Sequence, residues 1–300
     1  MDVTLIASEA GAGYYPENTV SAVRQSLIDG VDGCELDFHL TADNRFVAHH
    51  DYLLNPALAR DQNGNWLAAP GPVIKNTTLN DLRCYDLGMV DPESKIARRY
   101  PDRGSSPGER IATFEDVEQA YLEHAESPVE LWFEAKTDPF DPSHTTPPEQ
   151  FIGELAKILP LSPVFSSTVL IAFDWRLLAI ARAAMKDLQT GFLTVDFSWL
   201  PKYASANTSE RAGWFGDYNP ADYADSIPQA VKAAGGTYWS PYCRDLDRDT
   251  VEEAHDLAIK VSTWGANTEE EISQALATGV DSLTTGYVDR AKRILSAMRN

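Results

Sequence analysis

The chain has 300 residues, with 25 Lys and Arg against 45 Asp and Glu, and a formal net charge of −20 at pH 7. So acidic a chain lacks the basic surface that binds nucleic acid or an anionic membrane, which argues against both classes of partner. Hydrophobic residues make up 43% of the sequence, enough for a large core and too many for a globally disordered chain. The cysteines form neither a disulfide framework nor a zinc-binding spacing; they are Cys34, Cys84 and Cys243.

No segment approaches the ~18–20 apolar residues of a membrane helix. Asp2 and a short apolar strand follow Met1, so no signal peptide is visible. As the chain stands we expect it to be cytoplasmic, and a trimmed exported protein is the alternative. The expected partner is a small-molecule substrate, and the oligomeric state is left open.

The first fifty residues predict a β-α-β unit. A strand at Val3–Ala7 and a glycine-rich turn at Gly11–Gly13 come before a helix that is predicted to start at Pro16–Thr19. Proline suits the first turn of a helix, and the acidic residue after it suits the positive helix end. A second strand follows at Val31–Phe38, and Phe46–His49 is a third short apolar piece.

Residues 52–110 differ from the rest of the chain. Pro, Gly, Asn and Asp are frequent there, and the sequence predicts only one short helix, at Leu79–Tyr85. A stretch this long with little regular pattern inside a compact domain is usually functional or lies on the surface. We therefore expect an inserted segment at the mouth of a single domain that spans residues 1–300. Helical spacing returns at Phe114–His124.

Strands and helices alternate through the remainder of the chain. The predicted strands are Val129–Glu134, Val169–Ala172, Thr190–Leu193, Thr237–Trp239, Lys260–Thr263 and Ser282–Thr284. The predicted helices are Glu149–Ile158, Arg176–Met185, Pro228–Ala234, Thr250–Ala258, Glu269–Ala277 and Val288–Met298. With the first two strands this makes eight strand–helix repeats, which favours an α/β fold with parallel strands, a TIM (β/α)8 barrel. An open doubly wound sheet is the alternative.

In such a barrel the chemistry lies at the carboxyl ends of the strands. Glu35, Asp37 and His39 alternate along one strand, so they share a face, about 7 Å apart between neighbours. Buried carboxylates are costly unless a cation compensates them, and oxygen ligands suit Mg²⁺ or Ca²⁺. Glu134, at the end of a neighbouring strand, supplies a third carboxylate. The alternative is a solvated strand end with paired surface charges.

Four more residues are candidates for the site. His49 and His50 are adjacent and face opposite ways in a strand, so at most one is expected to point into the site, as a general acid or base. Lys136 shares the face of Glu134 and either offsets carboxylate charge, holds an anion or forms a salt bridge. Trp264 ends a late strand and either walls a pocket or packs in the core.

The sequence resembles the glycerophosphodiester phosphodiesterase family over nearly its whole length. The segments that carry the resemblance are Tyr15-Pro16-Glu17-Asn18-Thr19, Glu35-Leu36-Asp37-Phe38-His39-Leu40-Thr41, His50-Asp51, Leu54-Asn55-Pro56, Pro70-Gly71-Pro72, Thr78-Leu79, Phe133-Glu134-Ala135-Lys136, Phe173-Asp174-Trp175-Arg176 and Trp239-Ser240-Pro241-Tyr242. The resemblance implies a TIM barrel, a place in lipid metabolism, and one divalent cation held by Glu35, Asp37 and Glu134. It also implies two catalytic histidines, of which one matches His50.

The departures from the family pattern cluster at strand ends. The family begins its motif with His-Arg-Gly, and counting back from Pro16 those positions are Ser8, Glu9 and Ala10. The first catalytic histidine is absent, and an acid replaces the arginine that contacts phosphate. Since arginine binds phosphate oxygens with a planar fork, glutamate reverses the charge at that point. Elsewhere Gly286 replaces a frequent Asp, and Ala172 a frequent Ser.

Three hypotheses follow. In the first the chain is a divergent, metal-dependent phosphodiesterase in which His50 protonates the leaving group and Lys136 neutralises charge. In the second, Glu9 is the acid or base of an enzyme that acts on a neutral substrate, by glycoside cleavage or elimination. In the third the barrel mouth binds a ligand without catalysis. Ser8, His39 and Trp264 are the candidate substrate contacts. Whether Ser8-Glu9 is natural, decayed or deliberately altered is left open.

Overall fold

The computed structural model describes residues 3–124, 128–199 and 208–298. Eight parallel strands of these residues close into a barrel, because the first strand pairs with both the last and the second. A ninth, short strand adds antiparallel to the second. The strands are β1 Thr4–Ala7, β2 Gly33–Leu40, β3 Phe46–Ala48, β4 Glu130–Ala135, β5 Thr168–Ala172, β6 Gln189–Thr194, β7 Tyr238–Pro241, β8 Lys260–Trp264 and β9 Ser282–Thr285. The expected TIM barrel is confirmed, and the open sheet is wrong.

Helices pack around the barrel between successive strands. They are α1 Val20–Ile28, α2 Leu79–Leu82, α3 Lys95–Arg99, α4 Phe114–His124, α5 Pro148–Ile158, α6 Trp175–Ala184, α7 Thr208–Phe215, α8 Ile227–Ala234, α9 Arg248–Asp256, α10 Glu269–Thr278 and α11 Val288–Met298. The sequence pattern did not predict α3 or α7, which are short and weakly amphipathic. Among the described helices, none is both long and apolar enough to cross a membrane.

The start of α1 differs from the prediction. The helix begins at Val20, and the Thr19 side chain caps it by accepting a hydrogen bond from the Ala22 N–H at 3.2 Å. The residues before the cap are outside the helix and bind elsewhere. Glu17 forms a buried ion pair with Arg103 at 2.7 Å instead of compensating the helix dipole. Threonine is a good N-cap, which explains why the helix starts at this point.

The main core lies between the barrel strands and the helices. Every residue of β2 is buried, and Phe38 on this strand stacks on Phe133 of β4 with ring centroids 4.1 Å apart. Trp175 at the start of α6 is fully buried and contacts Phe192 of β6 edge to face at 4.9 Å. This packing fixes β2 against β4, the two strands that carry the predicted carboxylates.

Residues 52–110 pack around a small core of their own, formed by Leu54, Ala59, Ile74, Leu79, Leu82 and Leu87 together with Val47 and Ile111. Hydrogen bonds also tie the segment to the turn after β1. The Gly104 N–H donates to the Tyr14 carbonyl at 2.8 Å, and the Arg103 Nε donates to the Ala12 carbonyl at 2.7 Å. This part of the chain is therefore ordered, although its sequence shows little regular pattern.

Candidate active site

Three carboxylates meet at the carboxyl ends of β2 and β4. The register pairs Asp37 of β2 with Glu134 of β4, and Glu35 lies two residues earlier on the same face of β2. One oxygen of each carboxylate lies within 4.8 Å of one oxygen of the other two. All three residues are at most 9% exposed. The parallel register of two neighbouring strands thus produces an acidic cluster that is largely shielded from water.

Lys136 bridges two members of the cluster. Its Nζ lies 3.0 Å from Asp37 Oδ1 and 2.7 Å from Glu134 Oε1. Burial disfavours the charged amine, but the two carboxylates outweigh burial and raise the pKa of Lys136 well above its usual value. Burial also opposes ionisation of Asp37, yet Lys136 and other partners lower the pKa of this carboxyl to about 2. Both groups are therefore charged at neutral pH.

Only one of the two carboxylate oxygens of Glu35 is hydrogen-bonded within the described part of the chain. Its Oε2 accepts a hydrogen bond from the Glu9 backbone N–H at 2.8 Å and one from Ser8 Oγ at 3.4 Å. Its Oε1 is buried and has no hydrogen-bond partner in the described part of the chain. Burial first, and then the charges of Asp37 and Glu134, raise the pKa of Glu35 well above its usual value. An unpartnered buried carboxylate oxygen beside two other carboxylates fits a hard divalent cation, which prefers oxygen ligands.

Asn18 orients Asp37. Its Nδ2 donates to Asp37 Oδ2 at 2.8 Å, and its Oδ1 accepts from the Asp37 backbone N–H at 3.0 Å. Asn18 is buried and has a left-handed backbone conformation, with φ 57°. No sequence pattern indicates this role, although Asn18 belongs to one of the segments that carry the family resemblance. An asparagine next to a predicted helix start was interpreted only as part of that start.

The structure separates the two adjacent histidines. His49 is 3% exposed and its Nε2 accepts from the Asn55 backbone N–H at 3.2 Å. His50 is half exposed and lines the main cavity, with its Nδ1 2.8 Å from Asp51 Oδ1. Asn55 Nδ2 donates to the other oxygen of Asp51 at 2.6 Å, which fixes the carboxylate. The choice of His50 over His49 as the residue that faces the site agrees with this geometry.

His50 lies in a negative electrostatic environment. The charge of Lys136 and partial burial both disfavour its protonation. Asp37 and the hydrogen bond to Asp51 outweigh these effects and raise the pKa of His50. A protonated imidazole whose Nδ1 is held by a carboxylate presents its Nε2 proton for transfer.

Ser8 and Glu9 lie in a tight turn that directly follows β1. Glu9 has φ 49° and Ala10 has φ 58°, so the backbone is left-handed at two consecutive non-glycine residues. The Asn18 N–H donates to the Glu9 carbonyl at 3.0 Å, which closes the turn against the start of α1. Burial, followed by the charge of Glu17, raises the pKa of the Glu9 carboxyl to about 8.

A single cavity of about 770 Å³ contains these groups. Every residue predicted for the site except His39 lines it, namely Ser8, Glu9, Glu35, Asp37, His50, Glu134, Lys136 and Trp264. The lining also includes apolar side chains, namely those of Ile171, Phe173, Leu193, Trp214, Phe215 and Trp264. Trp264 contacts Phe173 edge to face at 5.6 Å, and its indole N–H donates to the Ser240 carbonyl at 3.1 Å. The cavity therefore combines charged and aromatic lining residues.

His39 lies outside the cavity lining. Its side chain is 3% exposed and packs edge to face on Tyr52 at 5.9 Å. The physical reason is that β2 continues past the barrel and pairs there with β3, where His39 lies opposite Val47. Burial, then the charge of His49, lowers the pKa of His39 to about 3, so it is neutral. The structure thus does not bring His39 together with the other predicted residues.

Comparison with known proteins identifies the family. The model of the glycerophosphoryl diester phosphodiesterase family matches residues 10–290. The chain belongs to this family. A glycerophosphodiester phosphodiesterase of Bacillus altitudinis is 24% identical over 303 residues, which cover 98% of this chain and 99% of that protein. The family and the fold support activity of the glycerophosphodiester phosphodiesterase type, in an enzyme class that generally depends on a divalent metal.

Solved structures agree with this membership. The "Putative glycerophosphoryl diester phosphodiesterase" from Silicibacter pomeroyi DSS-3 has a TM-score of 0.85 and 30% sequence identity, covering 99% of this chain and 94% of that chain. An Oleispira antarctica phosphodiesterase in complex with the product sn-glycerol-3-phosphate has a TM-score of 0.70 and 17% identity, covering 98% and 96%. At that identity the second likeness supports the fold alone.

Proposed function

We propose that the chain is a divalent-cation-dependent phosphodiesterase that hydrolyses glycerophosphodiesters to glycerol phosphate and an alcohol. One observation carries the proposal: the acidic cluster, Lys136 and His50 face the same cavity at the carboxyl ends of the barrel strands. This is the place where barrel enzymes build their sites. Because the family's first histidine and its arginine are absent, either the substrate or the roles of the catalytic residues differ from those of typical members.

The cation would be held by Glu35, Asp37 and Glu134. These residues fit Mg²⁺ or Ca²⁺ because they offer only oxygen donors, and because Glu35 Oε1 has no other partner in the described chain. When bound, a divalent cation stabilises negative charge that develops on phosphoryl oxygens. Lys136 compensates two of the carboxylates and so limits the net negative charge that an anionic substrate meets.

His50 is the proposed general acid. In the reaction a water oxygen forms a bond to phosphorus while the bond from phosphorus to the leaving alcohol breaks. His50 gives the Nε2 proton to the alcohol oxygen, and Asp51 holds Nδ1 so that the ring is oriented for this transfer. Loss of such a group commonly lowers the rate by about 10²–10⁴.

Glu9 is the proposed partner of His50. Serine at position 8 has no acid–base function at neutral pH, so a second group must accept the proton of the attacking water. Glu9 lines the same cavity as His50 and follows directly on the position where the family has its first histidine. Only the ionised carboxylate can take that proton, and with the pKa of Glu9 raised to about 8 this form becomes more abundant as the pH rises toward 8. His50 gives one proton to the alcohol while Glu9 accepts one from the water, so that the protons balance.

The test is the release of sn-glycerol 3-phosphate from glycerophosphocholine with Mg²⁺, with Ca²⁺ and with EDTA. The parent chain is compared with His50→Ala, Glu9→Gln and the double variant Ser8→His, Glu9→Arg. We expect turnover by the parent that requires a cation and that falls steeply in the two single variants. If only the double variant cleaves the diester, the proposed activity of this chain is wrong.

One observation favours a second candidate function. The Glu9 carboxyl faces the cavity at the place where the family has a phosphate-binding arginine, which would suit a neutral substrate. In that case Glu9 acts as the acid or base in glycoside cleavage or in elimination. Turnover of uncharged glycosides by the parent, lost in Glu9→Gln, would support this reading. Tight ligand binding in calorimetry without any product would instead support a non-catalytic binding protein.

A further inference from the structure

The lining of the cavity carries many acidic side chains, which disfavour the binding of an anionic substrate. Its lining contains the carboxylates of Glu9, Asp51 and Asp141 in addition to the acidic cluster of Glu35, Asp37 and Glu134. A phosphodiester is an anion, and the family residue that binds its oxygens, an arginine at position 9, is an acid in this chain. If the chain binds phosphodiesters as proposed above, we expect a cationic side chain in addition to the proposed metal ion to face the same space.

Among the described lining residues, the cationic side chains are already paired with carboxylates, with one exception. Lys136 is bound to Asp37 and Glu134 at 3.0 and 2.7 Å. His50 and His144 each lie within 2.8 Å of a neighbouring aspartate. Arg99 lines the cavity as well, and no carboxylate of the described residues lies within ion-pair distance of it. Of the cationic lining residues that the structure describes, Arg99 is therefore the one that remains available for a ligand.

Arg99 is held in place by its neighbours. It is the last residue of α3, and the next residue, Tyr100, is 4% exposed and packs near Tyr287 with ring centroids 6.1 Å apart. The guanidinium of Arg99 lies over the Tyr100 ring, with Cζ 5.1 Å from the centroid. Arg103, one turn later, forms the buried ion pair with Glu17. The backbone next to Arg99 is thus fixed to the turn that carries Glu9, while its side chain stays exposed.

Arg99 and Glu9 line the same cavity and interact electrostatically. Burial disfavours its charged form, but Tyr100 and Glu9 act in the opposite direction and raise the pKa of the guanidinium further. Arg99 therefore stays charged at neutral pH. It also partly offsets the charge that the acid at position 9 introduced.

We propose that Arg99, contributed by the segment of residues 52–110, binds the phosphate oxygens of the substrate and takes the place of the arginine that the family has at position 9. The inference rests on the proposed function and specifies its anion-binding subsite. The guanidinium can bind two oxygens at once, which a lysine cannot. No sequence pattern indicates this role, because the residue lies in a stretch without a recognisable motif.

The experiment compares Arg99→Ala with Arg98→Ala. Arg98 is the adjacent residue of α3, is exposed, donates to the Glu93 carbonyl at 2.8 Å and does not line the cavity. Binding of sn-glycerol 3-phosphate is measured by calorimetry with and without Mg²⁺, and KM and kcat are measured for glycerophosphocholine. We expect Arg99→Ala to raise Kd and KM about 10- to 100-fold and Arg98→Ala to leave both unchanged. Arg99→Lys should recover only part of the loss.

A further variant tests the exchange of positions. Adding Glu9→Arg to Arg99→Ala should restore the affinity for sn-glycerol 3-phosphate, since it returns the cation to the turn after β1. Unchanged Kd and KM in Arg99→Ala overturn the inference. If the parent binds sn-glycerol 3-phosphate but cleaves no diester, and Arg99→Ala abolishes that binding, the subsite is upheld and the proposed catalysis fails. If the parent does not bind sn-glycerol 3-phosphate at all, the subsite is wrong.

Discussion

Replacing Asn18 by alanine should weaken the candidate metal centre without touching a ligand. The substitution removes both hydrogen bonds between Asn18 and Asp37, at 2.8 and 3.0 Å. The bond to the carboxylate contributes about 1.5–3 kcal/mol and the bond from the backbone N–H about 1 kcal/mol. Alanine at a left-handed position costs roughly another 1 kcal/mol. We therefore expect a loss of about 3–5 kcal/mol in the free energy of unfolding of the cation-free protein.

The same change should act on metal affinity. Asp37 would keep its contact with Lys136 but lose the partner that fixes its other oxygen. Removal of a residue that orients a metal ligand typically costs 10- to 100-fold in affinity. The assay is calorimetric titration with Mg²⁺ at neutral pH, together with thermal unfolding in EDTA. At about 2 °C per kcal/mol for a chain of this size, the unfolding midpoint should fall by roughly 6–10 °C.

Asn44→Ala is the matched control. Asn44 is also left-handed, with φ 56°, but it is exposed in the turn between β2 and β3 and does not contact the acidic cluster. It should reproduce the backbone cost of about 1 kcal/mol and leave the Mg²⁺ affinity unchanged. Equal Mg²⁺ affinity in the parent and in Asn18→Ala would refute the orienting role of Asn18. An equal loss in both variants would refute it as well, because the cause would then be general loosening.

Three further predictions concern the cavity wall and the segment of residues 52–110. Trp264→Ala should raise the KM for glycerophosphodiesters about 10-fold in steady-state assays, since it removes an aromatic wall worth about 1–2 kcal/mol. Asp86→Asn should cost about 1–3 kcal/mol in urea unfolding at pH 7, because this carboxylate accepts two backbone N–H bonds at 3.0 Å and pairs with an arginine. Burial opposes ionisation of Asp86, but these partners outweigh it and lower the pKa of the carboxyl. The contribution of Asp86 to the free energy of unfolding is therefore present above pH ~4 and is lost as the pH falls further. The difference in stability between the parent and Asp86→Asn should accordingly shrink at pH 3. Gly88→Ala should strongly destabilise the protein in the same assay, since a Cβ there would lie 1.7 Å from the Ser106 carbonyl oxygen. Gly153→Ala is the control: a Cβ at this position in the middle of α5 meets nothing within 4 Å, so the change should stabilise the protein by about 0.5–1 kcal/mol.

The barrel could be predicted from the sequence because its signals are local and repeated. Each strand is a short apolar run and each helix has its own spacing, so that even an error of two residues at an end leaves the order unchanged. The strand predicted at Val31–Phe38 was observed at Gly33–Leu40, and the helix predicted at Val288–Met298 was observed with the same ends. The closure of the barrel follows from pairing of β1 with β9 and β2, which no local pattern contains.

The acidic cluster could be predicted for the same reason, since alternation along β2 places Glu35 and Asp37 on one face. The misplacement of His39 shows the limit of that rule: alternation continues along the strand, but the barrel ends before the strand does. Arg99 shows a different limit. It reaches the cavity from a segment whose position depends on tertiary contacts such as the Arg103–Glu17 pair, and these cannot be deduced from spacing.

The turn after β1 separates two roles that the family motif combines. The backbone N–H of residue 9 donates to Glu35, and the carbonyl of residue 9 accepts from Asn18, whatever side chain residue 9 carries. The backbone thus supports the acidic cluster, while the side chains of residues 8 and 9 determine what the cavity binds and which protons move. The exchange to Ser8 and Glu9 can therefore change the chemistry and leave the metal ligands in position. Metal affinity and diester turnover can therefore change independently of each other. A chain that binds Mg²⁺ normally but cleaves slowly would show that only the role of the side chains of residues 8 and 9 had changed.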